Sequence, residues 1–203
     1  MIGDILGTWT VSSGIGAINP VYGTSTIFNP TTVGIGTITA VCGNLTDGTG
    51  LITVTHGSAT SLTIAPATST LTADGSQTYT GTARDLDGNT WTVTATFTED
   101  DTIGTMIANI YYPGQVGTWT ITATYTTFIA TATAYVTYGS ATSLTITPAT
   151  STLTCDDTQS YTATARDSDG NTWTVTAQRI LPGLMSNIFP PSHWQEHQLV
   201  QYQ

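Results

Sequence analysis

The chain reads as an all-β protein made of tandem immunoglobulin-like Greek-key β-sandwich units. Three observations predict this: a long internal repeat, strict alternation of Thr with apolar residues, and turn residues at regular intervals. Segment 57–95 recurs as 139–177, offset by 82 residues, with 32 identities over 39 positions. Shared Thr bias alone does not give such agreement, so the chain is first of all a repeat protein.

Alternation defines the strands. Across 90–98, Trp91, Val93, Ala95 and Phe97 share one face and Thr residues the other, the period-two mark of a half-buried strand. Trp119, Ile121, Ala123 and Tyr125 repeat the scheme, and Ala130, Ala132, Ala134 and Val136 form a smaller inward row. Leu62 and Ile64 mark the first strand of the unit, and Tyr79 and Ala83 the second. Asp87-Gly88-Asn89 supplies turn chemistry between the second and third strands. Short strands in a unit of about 80 residues indicate a sandwich rather than a barrel.

A third copy stands at the start. Thr8-Trp9-Thr10-Val11 matches Thr90-Trp91-Thr92-Val93, and after a one-residue shift Phe28-Asn29-Pro30 matches Tyr111-Tyr112-Pro113 and Ile38-Thr39-Ala40 matches Ile121-Thr122-Ala123. The expected organisation is a partial unit over 1–56 that lacks its first two strands, a complete unit over 57–138, and a partial unit over 139–177. Residues 178–203 contain no Thr and depart from the repeat, as a frameshifted or truncated reading frame would, or a genuine tail that caps the array.

Composition narrows the partners. Net charge is −10, Lys is absent, and Arg84, Arg166 and Arg179 form no patch, so neither nucleic acid nor an anionic membrane surface is expected to bind. No apolar run is long enough to insert in a membrane, and the start Met1-Ile2-Gly3-Asp4 lacks the basic residues of an export signal. Cys42 and Cys155 fall at unmatched points of the repeat, which suggests incidental buried thiols.

Few residues suggest chemistry. Asp85, Asp87 and Asn89, with their copies Asp167, Asp169 and Asn171, resemble part of a calcium loop: two carboxylates on a tight turn offer hard oxygen ligands. The distant bidentate Glu is missing, so an ordinary turn is the stronger expectation, and no other cofactor is indicated. Glu99, Asp100 and Asp101 read as a solvated loop tip. His193-Trp194-Gln195-Glu196-His197 spells an inverted zincin pattern, but a third ligand and a supporting helix are lacking, so chance accounts for it. Tyr111, Tyr112 and Tyr138 are candidates for a sugar-stacking platform, and Asn44-Leu45-Thr46 is a glycosylation pattern only if the chain is exported. Trp9, Trp91 and Trp173 share one repeat position and are expected in the core.

Taken together, Ser61-Leu62-Thr63-Ile64, the stretch 83–89, Val116-Gly117-Thr118-Trp119 and the closing 132–137 resemble the bacterial immunoglobulin-like (Big) domains of bacterial and archaeal surface proteins. That resemblance covers roughly residues 8–177 and carries over no binding site. It implies an extracellular or cell-surface location and a non-catalytic structural or adhesive stalk module. The partners it implies are neighbouring immunoglobulin-like domains of the same parent chain, and a surface protein or glycan. The alternative function is a carbohydrate-binding module, with or without calcium.

Overall fold

A computed structural model describes residues 6–176; the tail from 178 onward, with its His193–His197 motif, and Arg179 lie outside the described residues. Among the described residues the protein is all-β and contains no helix. The chain divides into two compact units, Met1–Gly139 and Ser140–Gln203.

The first unit opens with Gly7–Val11 (β1), Gly16–Asn19 (β2), Tyr22–Gly23 (β3), Ile27–Pro30 (β4), Gly34–Gly36 (β5), Ile38–Cys42 (β6), Leu45–Gly48 (β7) and Ile52–Val54 (β8). It continues with Ser61–Ala65 (β9), Thr68–Thr72 (β10), Gln77–Thr78 (β11), Thr80–Arg84 (β12), Thr90–Val93 (β13) and Thr96–Glu99 (β14). Thr105–Ile107 (β15), Ile110–Tyr112 (β16), Gly117–Tyr125 (β17) and Phe128–Thr137 (β18) complete it. The second unit holds Ser143–Thr147 (β19), Thr162–Arg166 (β20) and Thr172–Val175 (β21).

Residues 57–138 form a complete sandwich. One layer runs β13-β12-β9 and the other β10-β18-β17-β14, with β11-β16-β15 as a separate three-stranded sheet. The N-terminal strand serves both layers: β9 pairs antiparallel with β12, and after Pro66 the chain crosses so that β10 pairs parallel with β18. Pro suits this corner because it has no N–H to offer a ladder. Stretch 90–99 also changes layers. It was expected as one continuous strand over 90–98, yet β13 pairs with β12 while β14 pairs with β17. Side-chain alternation survives the break, since even-numbered Thr residues stay exposed and Trp91, Val93, Ala95 and Phe97 stay partly buried.

The core lies between these layers. Leu62, Ile64, Ala73, Tyr79, Tyr111, Ile121, Ala123, Ala132, Ala134 and Val136 pack as one cluster, flanked by Phe97, Met106 and Trp119. Small Ala side chains on β17 and β18 leave volume for the rings of Tyr79 and Tyr111, both fully buried. A buried phenol needs a partner. Tyr79 shares a hydrogen bond of 2.8 Å with Ser69 Oγ, and Tyr111 Oη donates to Asp101 Oδ2 at 2.9 Å.

Residues 7–54 do not follow the register that the sequence match suggests. Trp9 lies opposite Ala40 on β6, whereas it is Phe97, not Trp91, that lies opposite the matching Ala123. β1 therefore takes the place of β14, six residues further along the unit than the repeat implies. The reason is partnership: no described counterpart of β12 stands beside it, so it pairs where a free edge exists. Ile18 opposite Phe28 on β2 and β4 reproduces Met106 opposite Tyr111 on β15 and β16.

Replacing Tyr79 with Phe strands the buried Ser69 hydroxyl, which should cost about 1–2 kcal/mol. The copy of this pair, Ser151 and Tyr161, is exposed in a single chain, so at dilution Tyr161→Phe should change stability by less than about 0.5 kcal/mol. Native-state hydrogen exchange at the β12 and β17 amides measures the first effect, and at the β20 amides the second.

Candidate functional site: the Asp-Asn turn between consecutive copies

The turn 85–89 closes the β12–β13 hairpin, where Arg84 pairs with Thr90. Asp85 N–H donates to the Asn89 carbonyl at 3.0 Å, and Gly88 N–H donates back to the Asp85 carbonyl at 3.3 Å. Gly88 has φ +94°, and the Arg84 guanidinium lies 3.1 Å from where its Cβ would stand. Glycine is the residue that fits both constraints.

Asp85 is buried, and N–H donors occupy its carboxylate. Oδ1 accepts from Asn89 N at 2.8 Å, while Oδ2 accepts from Gly57 N at 2.8 Å and Asn89 Nδ2 at 2.9 Å. Burial pushes its carboxyl upward, but the bonds from the Asn89 side chain and from the Gly57, Asn89 and Gly88 amides outweigh it and hold it below the usual range.

Asn89 faces two ways. One hydrogen of Nδ2 serves Asp85, and the nitrogen also donates to the Thr31 carbonyl at 3.1 Å; Oδ1 accepts from Val33 N–H at 3.1 Å. A primary amide has two N–H hydrogens and a carbonyl oxygen, and both the nitrogen and the oxygen are engaged here. Its outer bonds reach the loop before β5, tying the first copy to the complete sandwich. Beside it, the His56 ring stacks on Trp91 with centroids 3.7 Å apart and planes 4° apart. Trp91 thus belongs to the junction and not to the core cluster where it was expected. Trp9 also sits elsewhere, donating from Nε1 to the Gly23 carbonyl at 3.1 Å.

The second unit builds the same turn. Asp167 is buried, Asn171 N donates to its Oδ1 at 2.8 Å, and Asn171 Nδ2 donates to its Oδ2 at 3.0 Å. Gly170 has φ +93° and donates to the Asp167 carbonyl at 3.4 Å.

Of the six residues expected to hold calcium, the structure brings Asp85 to Asn89 and Asp167 to Asn171, and leaves Asp87 and Asp169, within the same turns, exposed. A cation entering either turn would have to displace N–H donors already in place. Among the described residues no three His, Cys, Asp or Glu side chains are grouped so as to hold a metal ion.

Other candidates also moved. Asp101, expected on a solvated tip, is buried and accepts from Gly114 N at 2.9 Å, Gln115 N at 3.3 Å and Ile103 N at 3.2 Å. Burial raises its carboxyl, and these amides with the Tyr111 hydroxyl lower it further than burial raises it. Burial, reinforced by the charges of Asp101 and Asp100, keeps Glu99 above its ordinary value. Tyr111 is fully enclosed and cannot be a sugar platform, which leaves Tyr112 and Tyr138 exposed. Cys42 is half-buried and Cys155 exposed, so neither is the buried thiol that the sequence suggested.

No family model matches the chain, and no curated protein matches it. Solved structures similar to it include surface-layer protein SbsC domains 4–9, at 18 % identity and TM-score 0.35, covering 84 % of this chain and 29 % of that one. Invasin, described as a bacterial integrin-binding protein, is similar at 19 % identity and TM-score 0.44, covering 83 % of this chain and 40 % of its own. The D0-D1 domains of intimin follow at 14 % identity and TM-score 0.24, covering 64 % and 78 %. The chain spans less than a third of the SbsC fragment.

Asn89→Ala removes both bonds to the first copy and should cost the junction about 1 kcal/mol, read as faster exchange of the Val33 amide with the β17 amides unchanged. A pH titration should follow the carboxylates. Asp85 and Asp101 have lower values folded than unfolded, so their contribution is complete above about pH 4 and is lost as pH falls through the lower folded values. Protection of the Gly57, Asn89 and Gly114 amides, taken relative to the intrinsic exchange rate at each pH, should therefore hold steady from neutral pH to about 4 and fall below it.

Proposed function

We propose that this chain is a non-catalytic structural and adhesive module of an extracellular surface protein, in which consecutive sandwich copies are tied into a stalk. The observation that carries this reading is the Asn89 bridge, with the His56–Trp91 stack beside it. Side chains that turn sequences commonly expose to water are spent on holding the next copy. Recurrence of the turn at 167–171 fits an element used once per repeat.

Supporting features concern durability outside a cell. Among the described residues, Arg84 and Arg166 are the only sites for a trypsin-like protease. Arg84 lies within a ladder and its carbonyl accepts from Thr60 N–H at 2.8 Å, and Arg166 is likewise paired on β20. Proteases bind extended, unpaired backbone, so paired arginines are poor targets.

Glycan arrays with and without chelator test the proposal. The expected result is a flat array in both conditions and a melting curve that calcium leaves unchanged. Chelator-sensitive sugar binding that is lost in Tyr112→Ala or Tyr138→Ala would replace the stalk reading with a carbohydrate-binding module.

A further inference from the structure

Residues 143–176 repeat half of the complete sandwich. β19, β20 and β21 keep the registers of β9, β12 and β13: Leu144 lies opposite Ala165, and Ala165 opposite Trp173, as Leu62, Ala83 and Trp91 are arranged. The next stretch does not follow. Thr150-Ser151-Thr152-Leu153-Thr154 is identical in sequence to β10, yet it forms no strand. Gln159-Ser160, the counterpart of β11, forms none either. Elements that pair among themselves exist; those whose partners belong to 96–137 do not.

Exposure tells the same story. Leu62, Ile64 and Tyr79 are 9 %, 8 % and 0 % exposed, while their copies Leu144, Ile146 and Tyr161 are 60 %, 57 % and 54 % exposed. The Ser151–Tyr161 hydrogen bond is nevertheless made, at 2.6 Å, so the open half is already set in its sandwich form. Such an unpaired edge beside an apolar face is a template for another strand.

The complementary half lies in the same sequence. Residues 7–54 hold the counterparts of β14, β17 and β18, and β8 is paired on one side only, with β5. The residues matching the core of the complete copy, among them Ile18, Phe28, Ile38, Ile52 and Val54, are only partly buried. Asp47 is the single charged residue in 7–54, and the stretch 150–154 that would join its ladder has none; Asp156, Asp157 and Arg166 are the charged residues of 143–166.

We propose that the open face of residues 143–166 docks on residues 7–54 of a second copy of this chain, completing one sandwich from two molecules. Register follows from the repeat. Ser69 lies opposite Ala134 and Leu71 opposite Val136 on the parallel β10–β18 ladder, which sets Ser151 of one molecule opposite Ile52 of the other and Leu153 opposite Val54. The contact joins unlike surfaces, so it propagates head to tail or closes as a reciprocal pair.

Cross-linking of the full chain tests this in a Cys42→Ser, Cys155→Ser background. One preparation carries Ser151→Cys and the other Ile52→Cys; opposed ladder positions lie within disulfide reach. Mixing under mild oxidation should give a covalent dimer at least about tenfold above either preparation alone. Thr150→Cys in place of Ser151→Cys, pointing to the opposite face, should not. Leu153→Cys with Val54→Cys serves if the first variants fail to fold. Sedimentation velocity should show concentration-dependent association that Ile146→Asp abolishes. A monomer at every concentration without cross-links overturns the proposal. So does cross-linking that ignores register.

Discussion

The antiparallel ladder between β17 and β18 is the constraint on which the complete sandwich depends. It runs in unbroken register from Gly117 opposite Val136 to Tyr125 opposite Phe128. β14 adds to one edge and β10 to the other, so both ends of the unit are recruited by this hairpin. Its inner face supplies Ile121, Ala123, Ala132, Ala134 and Val136, half of the core cluster. The β9–β12–β13 layer forms without it, as β19–β20–β21 shows, but without it Leu and Ile on that layer stay in water. Burying such a side chain contributes about 1.5–3 kcal/mol, so the hairpin turns a half-finished layer into a folded domain.

The Asp-Asn turn is a second constraint, acting between copies. An aspartate at a hairpin usually serves its own loop. Here Asp85 also accepts from Gly57 N–H, fixing the point where the connecting segment enters the sandwich. Because Asp85 holds one Asn89 N–H, the remaining amide hydrogen and the oxygen are aimed at Thr31 and Val33. Positioning by a buried carboxylate makes the bridge directional, where an amide on a free turn would swing.

Much of the architecture is legible in the sequence. Alternation placed Leu62, Ile64, Ile121, Ala123, Ala132 and Val136 inside. What escaped were features that depend on a neighbour. Period-two patterning is the same whether a strand stays in one sheet or changes sheets, so the break between β13 and β14 left no mark in the sequence. Sequence matching put Trp9 with Trp91, but pairing put it with Phe97, because a ladder obeys available edges and not ancestry. Asp85 and Asn89 stood out for their chemistry, yet a cluster of oxygens reads alike whether it faces a cation or N–H donors. Gly57 and Val33 provide those donors through the backbone, which carries no residue-specific signal.

The same reasoning explains why Thr fills the outer faces. A β-branched side chain favours strand geometry, and its hydroxyl keeps the face soluble without charge. With charge confined mostly to turns, ladders bring no like-signed groups opposite one another, and Thr63 and Thr145 donate across to the carbonyls of Thr82 and Thr164 at 3.2 and 3.4 Å. Sequence alone then makes every strand competent to pair, and specificity passes to register and to which inner face is still uncovered. A chain built this way folds each copy by the partner it meets, whether that partner follows in the same molecule or arrives from another.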